Sequence, residues 1–215
     1  MQNKLISFAA KHGLTLSNEA AKKLLSYANR VLEKKSQLNL TGADDLETLV
    51  HRHLCDGLFG AAQIARLARQ AGENSFEVMD AGSGAGFIGL SIAAALPQAQ
   101  VILVESIQKR GAFLNWVVLQ ERFTNVTVKN CRLGQRILPQ VSYVTERAMG
   151  QLPDVLPLCL AAVKPGGVFI AYQGVVPQLQ EADPAKCGGK WEETIVYQLE
   201  QDQTPKHLVL CRKAL

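Results

Sequence analysis

Three glycines alternate with small residues directly after an apolar run, in the sequence Asp80-Ala81-Gly82-Ser83-Gly84-Ala85-Gly86. Glycine adopts positive φ without strain and carries no Cβ, so such a loop can turn tightly and let its backbone approach a ligand. Glu105 ends the next apolar run, 23 residues beyond Gly82, a spacing that suits a carboxylate bound to the two hydroxyls of a ribose. The pattern predicts a strand, a loop and a helix that hold a nucleoside cofactor at the carboxyl edge of a sheet.

Seven short apolar runs are predicted strands, at residues 76–80, 101–104, 126–129, 141–145, 168–172, 194–199 and 207–212. Helical stretches separate the first five, although the connection between the third and the fourth is unclear. This alternation predicts an α/β domain over residues 76–215, with a mostly parallel sheet covered on both faces. Only a short segment joins the last two runs, which predicts an antiparallel hairpin at the carboxyl end.

The amino-terminal third carries helical periodicity instead, so we predict a helical extension over residues 1–75. Ser17 can cap a first helix in this extension. A second helix is predicted from about residue 45 to 70, with Gly57 and Gly60 as points at which it can be interrupted.

Composition limits the class of protein. Hydrophobic residues make up 47% and charged residues 20% of the 215 positions, which excludes a disordered chain. The longest uncharged stretch, residues 81–104, contains four glycines and a proline, so it predicts no membrane span.

Five cysteines without a C-x-x-C pair favour reduced thiols and a cytoplasmic protein. The four histidines offer no recognisable metal site, and the net charge of +4 permits nucleic-acid binding without requiring it.

Two cofactors compete for the glycine loop. Gly84, Gly86 and Gly89 fit the G-x-G-x-x-G pattern of dinucleotide-binding proteins, so an NAD-dependent reductase is one alternative. Asp80 favours the other, because its carboxylate would repel a pyrophosphate but could reach a cationic amino-acid group. A Lys-Pro-Gly-Gly sequence before the fifth strand and the closing hairpin also resemble the layout of S-adenosylmethionine-dependent methyltransferases. We therefore predict S-adenosylmethionine as the cofactor.

A further set of motifs runs along residues 38–174, in the order Asn39-Leu40-Thr41, His53-Leu54-Cys55-Asp56, the glycine loop, Glu105-Ser106, Lys109-Arg110-x-x-Phe113-Leu114, Arg132 and Glu146-Arg147-Ala148. In combination they resemble the RsmG family, also called GidB, which methylates N7 of a guanine in bacterial small-subunit (16S) ribosomal RNA. The resemblance implies a class I, Rossmann-like methyltransferase fold with small-subunit ribosomal RNA as the partner. We also expect a monomer that does not associate with a membrane.

The resemblance also assigns roles to residues of this chain. For the cofactor pocket it implies Gly82 and Phe87 beside the loop glycines, Glu105 on the ribose, Leu133-Gly134 beside the adenine, and Arg147 at the methyl-transfer centre. For the RNA backbone it implies Lys109, Arg110 and Arg132. Gly134 and Gln173 depart from the residues usual in the family, which keeps open a non-catalytic RNA-binding module with a vestigial cofactor fold.

The chemistry asks little of the protein, because guanine N7 presents a lone pair and no proton must be removed. Methylation of an exocyclic amine would call for an Asn-Pro-Pro-Tyr-like sequence after the fourth strand, and methylation of a pyrimidine ring carbon would call for a Pro-Cys nucleophile. Neither sequence occurs there. Arg147 ends that strand, where its guanidinium could bind the guanine O6 or the cofactor carboxylate. His53 and Asp56, three residues apart on a predicted helix, are expected to bond to each other, and Asn39 to turn the chain. A small-molecule methyltransferase is a further alternative.

Overall fold

The computed structural model describes residues 1–174, 177, 179–200 and 202–215. Its centre is a seven-stranded sheet in the order β3-β2-β1-β4-β5-β7-β6. The first five strands pair in parallel, and β7 is antiparallel to both β5 and β6. The strands are β1 (Phe76–Ala81), β2 (Ala99–Glu105), β3 (Val126–Asn130), β4 (Val141–Arg147), β5 (Val163–Gln173), β6 (Gly189–Tyr197) and β7 (Lys206–Lys213). The predicted parallel sheet and closing hairpin are therefore confirmed.

Seven α-helices accompany the sheet in the described part of the chain: α1 (Gln2–Lys11), α2 (Asn18–Leu38), α3 (Leu46–Leu49), α4 (Cys55–Ala71), α5 (Phe87–Ala95), α6 (Gln108–Gln120) and α7 (Leu152–Ala161). A π-helical turn, Val50–Leu54, joins α3 to α4. None of the described helices is long and apolar enough to cross a membrane. Between β3 and β4, where the sequence left the connection unclear, residues 131–140 form no helix.

The ends of α2 follow the local chemistry of its sequence. Ser17 accepts the N–H of Ala20 on its side-chain oxygen at 3.0 Å, as the predicted cap requires. Asn39 ends the helix in the left-handed region, at φ +51°, which asparagine tolerates better than most residues. The predicted turn at Asn39 is therefore confirmed, and it places Leu40 and Thr41 above the carboxyl edge of the sheet.

The helical extension and the α/β domain share one hydrophobic core. Leu24 of α2 and Leu58 of α4 are fully buried in the same cluster as Leu90 of α5 and Leu103 of β2. Burial of this kind contributes roughly 1.5–3 kcal/mol for each leucine side chain. The division at residue 75 stays a prediction, but the shared core fixes the extension against the sheet.

The predicted interruption of the second helix by its glycines is wrong, because α4 runs through both of them. A Cβ at Gly57 would lie 2.6 Å from Ser91 Cβ and 2.7 Å from Phe87 O, and one at Gly60 would overlap the Tyr172 hydroxyl. These glycines let α4 pack closely on α5 and β5. Close packing therefore outweighs the low helix propensity of glycine, which costs about 1 kcal/mol per residue.

We expect Gly60→Ala to lower the free energy of unfolding by about 1–3 kcal/mol, the usual cost of overpacking a core. The Tyr172 hydroxyl is buried and has no hydrogen-bond partner among the described residues, so Tyr172→Phe removes the atom that the new methyl group would overlap, although the ring carbon Cζ, 2.7 Å from that methyl group, must still shift. Urea denaturation of both single variants and the double variant measures this. Partial recovery of stability in the double variant is expected. A Gly60→Ala protein more stable than wild type, as helix propensity alone would give, contradicts the packing argument.

Candidate functional site

A cleft of about 730 Å³ opens at the carboxyl ends of β1, β4 and β5, a volume within the range of small-molecule sites. The extension supplies its opposite wall through residues around Thr41 and His53. Five residues predicted to bind the cofactor line this cleft, namely Asp80, Gly82, Gly84, Phe87 and Arg147. The topology of the sheet, rather than any sequence spacing, brings β1 and β4 side by side.

The glycine loop turns sharply where β1 meets α5. Gly82, Gly84 and Gly86 have φ of +66°, +59° and +96°, a region that glycine enters at little cost. Ser83 donates its backbone N–H to Val104 O at 3.0 Å and its hydroxyl to Asp80 O at 2.8 Å. These hydrogen bonds tie the loop to the ends of β1 and β2.

Glu105 braces this loop from the end of β2. Its buried carboxylate accepts the N–H of Gly84 at 2.8 Å and the N–H of Ile107 at 2.7 Å. It lies behind the cleft lining, as does Gly86. The predicted contact of Glu105 with a ribose stays a prediction, and its observed partners add a second role, that of fixing the loop.

Asp80 is a buried carboxylate in the lining of the cleft. It accepts the Thr145 hydroxyl at 3.0 Å and the N–H of Gly89, in the first turn of α5, at 3.1 Å. Burial raises the pKa of the Asp80 carboxyl to about 6, although both hydrogen bonds and the charge of Arg147 lower it. Asp80 therefore places negative charge close to the glycine loop.

Arg147 ends β4 and points back toward the extension. Its Nη1 donates to Asp56 Oδ2 at 2.9 Å, and its guanidinium carbon lies 5.8 Å from the centre of the Phe87 ring. The side chain is 23% exposed, so part of the guanidinium faces the cleft. Asp56, which is almost fully buried, is therefore the ion-pair partner of this arginine.

The prediction that His53 and Asp56 bond to each other is wrong. His53 lies in the π-helical turn, whose i→i+5 hydrogen bonding puts more residues in each turn and so offsets it from the position that a three-residue α-helical spacing would give. Its Nε2 lies 3.1 Å from the Thr41 hydroxyl and its ring stacks on Phe87 at 4.4 Å. Burial, and then the charge of Arg147, lower the pKa of His53 to about 3, so this histidine is neutral at pH 7.

The partners of Asp56 are the functional residues that sequence reasoning missed. Tyr197, at the end of β6, donates its hydroxyl to Asp56 Oδ1, and Lys206, at the start of β7, lies 3.4 Å from Oδ2. The one available signal was an aspartate within the apolar run around Leu58, because a buried carboxylate requires a cation or a donor nearby.

Glu146, like Asp56 and Asp80, is a buried carboxyl group of the cleft. One oxygen accepts the N–H of Met149 at 2.6 Å, and the other has no hydrogen-bond partner among the described residues. Burial, reinforced by the charge of Asp80, raises the pKa of Glu146 to about 7. Near neutral pH this carboxyl group is therefore close to half-ionised.

This pKa gives stability a defined pH dependence. Because the folded pKa of Glu146 lies above its value of 4.5 in the unfolded chain, its contribution to stability is fully present below pH 4.5 and is lost as the pH rises through about 7. We therefore expect the stability of Glu146→Gln relative to that of wild type to increase from pH 5.5 to pH 8. Urea midpoints of the variant and of wild type at both pH values measure this increase. The same difference between the two proteins at pH 5.5 and at pH 8 would contradict it.

The residues predicted to touch RNA and adenine lie just after the carboxyl ends of β2 and β3, beside the cleft except for Arg110, which lines it. Lys109 and Arg132 are exposed, and their side chains have no hydrogen-bond or ion-pair partner within the described residues. Arg110 instead donates to the backbone oxygen of Asn39 at 2.7 Å and so anchors the end of α2. Leu133 is buried and Gly134 exposed, both outside the cleft lining, and their contact with adenine stays a prediction.

Solved structures of low sequence identity share this fold. TrmN from Thermus thermophilus is 19% identical with a TM-score of 0.55, and the match covers 73% of this chain and 48% of that one. TYW2 of M. jannaschii, solved in complex with AdoMet, is 16% identical with a TM-score of 0.52, over 69% of this chain and 74% of that one. The predicted class I methyltransferase fold is therefore confirmed.

Sequence similarity is more specific. A protein of Limosilactobacillus reuteri (strain DSM 20016), named ribosomal RNA small subunit methyltransferase G, is 31% identical over 95% of this chain and 87% of its own length. A protein of the same name from Leptothrix cholodnii is 31% identical over 82% of this chain and 79% of its own length. The GidB family model, described as rRNA small subunit methyltransferase G, matches residues 20–209. The chain belongs to this family, as its motifs predicted.

Proposed function

We propose that the chain transfers a methyl group from S-adenosylmethionine to N7 of a guanine in small-subunit (16S) ribosomal RNA. The observation that carries the proposal is the cleft itself, in which the glycine loop and Arg147 face one another at the carboxyl edge of the sheet. Ligands of open α/β sheets bind at this edge. The family match supports the substrate class.

The residues of the cleft fit this cofactor. A Cβ at Gly84 would meet only Gly82 O, at 4.0 Å, so the loop backbone is open to a ligand on that side. Asp80 and Glu105 lie buried against the loop and the first turn of α5, and negative charge there favours a sulfonium and an ammonium group over a pyrophosphate. The same charges, with the family match, count against the alternative of an NAD-dependent reductase.

S-adenosylmethionine supplies an electrophilic methyl group, and the chain has only to hold the guanine in line with it. Positioning of this kind can contribute about 7–11 kcal/mol to a rate. Arg147 is the cation that we assign to the acceptor, since its remaining N–H groups can donate to guanine O6 in the plane of the ring. A neutral His53 fits this chemistry, because no proton has to be abstracted and the methylated ring becomes positive.

We also propose that Lys109 and Arg132 contact phosphates of the RNA. Both lie beside the cleft at the carboxyl edge of the sheet, and neither side chain has a hydrogen-bond or ion-pair partner within the described chain. Replacing both by alanine should weaken RNA binding and reduce the slope of log affinity against log salt by roughly one unit per residue. Lys190→Ala, an exposed lysine on β6 near the opposite edge, is the control. An unchanged slope in the double variant would show that Lys109 and Arg132 belong to an ordinary solvated surface and do not contact RNA.

Transfer of labelled methyl groups tests the whole proposal. Small-subunit RNA from a strain that lacks the enzyme should accept label from S-adenosylmethionine. Label on a small molecule alone would favour the small-molecule alternative. RNA binding without any transfer would favour a non-catalytic module. We further propose a cytoplasmic monomer, consistent with five free cysteines, and sedimentation of the purified protein tests the oligomeric state.

A further inference from the structure

We infer that Asp56 is a positioning residue that holds the Arg147 guanidinium in its working orientation, so that the extension and the carboxyl-terminal hairpin both complete the active site. The inference rests on the proposed function, since it concerns the arginine assigned to the acceptor. Asp56 lies on α4 and is 3% exposed. Its carboxylate connects four elements of the fold, namely α4, β4, β6 and β7.

Both oxygens of Asp56 are engaged. Oδ2 accepts from Arg147 Nη1 at 2.9 Å and lies 3.4 Å from Lys206 Nζ, while Oδ1 accepts the Tyr197 hydroxyl. A carboxylate with partners on both oxygens cannot rotate freely. The direction of its bond to Arg147 is therefore fixed by groups from the far end of the chain.

The partners of Asp56 are themselves held in place. The Tyr197 ring stacks on Phe59 at 3.9 Å, one turn along the same helix as Asp56. Lys206 lies 3.4 Å from Asp202 as well as from Asp56. These contacts make a rigid support, of the kind that active sites need around a reacting group.

The charges explain why this support matters to Arg147. Two cations, Arg147 and Lys206, converge on one buried carboxylate. Without that negative charge the two cations would repel one another, and the guanidinium would lose the bond that fixes one of its nitrogens. Its other donors, which face the cleft, would then no longer be aimed at an acceptor.

A double-mutant cycle with Arg147 tests the inference. Asp56→Asn keeps the shape of the side chain and removes its charge. We expect it to lower the single-turnover rate of methyl transfer about 10²-fold, the loss that a displacement of about 1 Å in a positioned group can cause. Cofactor affinity, measured by calorimetry, should change far less than the rate. In an Arg147→Lys background the same substitution should cost nothing further, because the group that it positions is already gone.

Multiplicative losses in the double variant would overturn the inference, since a purely structural Asp56 acts independently of Arg147. Tyr197→Phe, which removes only one hydroxyl, provides the same cycle if Asp56→Asn fails to fold, and it should show a smaller loss that again vanishes with Arg147→Lys. Glu193→Gln, which breaks a surface pair with Arg66 of α4, is the matched control and should leave the rate unchanged. A wild-type protein that methylates no RNA would instead refute the proposed function.

Discussion

Replacing Gly84 by valine should lower the affinity for S-adenosylmethionine about 10²-fold. Gly84 has φ +59° and its N–H bonds to Glu105. A β-branched residue in this left-handed region is strained by roughly 1–2 kcal/mol, so the loop must deform or present a branched side chain to the ligand. Loss of about two backbone hydrogen bonds to the cofactor, at roughly 1–1.5 kcal/mol each, gives the expected factor.

Gly72 provides the matched control for this substitution. It ends α4 at φ +71°, and a Cβ placed on it would meet no atom within 4 Å, so Gly72→Val brings the same backbone strain far from the cleft. Calorimetric titration with S-adenosylmethionine should give wild-type affinity for Gly72→Val and weak binding for Gly84→Val. Equal affinities in the two variants would remove the glycine loop from the cofactor site.

Arg147→Lys should lower the rate of methyl transfer by about 10²- to 10³-fold, the range found when one preorganised donor is removed from an active site. Lysine keeps the positive charge beside Asp56, so the melting temperature should stay within about 4 °C of wild type. It cannot reproduce the planar fork of the guanidinium, whose Nη1 is bonded to Asp56 while other donors face the cleft.

The control for this variant is Arg66→Lys, which alters a surface ion pair with Glu193 and should leave both rate and stability unchanged. Single-turnover transfer assays and thermal melts separate the two effects. A melting temperature that falls together with the activity of Arg147→Lys would make Arg147 a structural residue that ties Asp56 to β4.

The sheet was predictable from sequence because each strand has a local signature of short apolar runs between polar turns. The hairpin formed by β6 and β7 followed from the short segment between them. α1 was missed, because its ten residues bury only Leu5 and Ala9 and no side chain caps its first turn. Gly57 and Gly60 misled the prediction because the packing of α4 against α5 and Tyr172, which is invisible in the sequence, overrides local propensity.

The candidate site was predictable along the sheet edge, where residues at successive strand ends must converge. The network around Asp56 was not. Its bonds to Arg147 and Tyr197 join residues 91 and 141 positions apart, and no local spacing reports such a pair. Arg110 shows that a local signal can also mislead. Its basic side chain predicted a contact with RNA, but in the structure it donates to the backbone oxygen of Asn39.

Mass mapping of methylated guanines in 16S ribosomal RNA tests the central claim most directly. RNA from a strain lacking this protein is compared with RNA from the same strain after the wild-type or the Arg147→Lys protein is restored. We predict one guanine that carries a methyl group on N7 only when the wild-type protein is present, and little or none with Arg147→Lys. Identical guanine methylation with and without the protein would contradict the account.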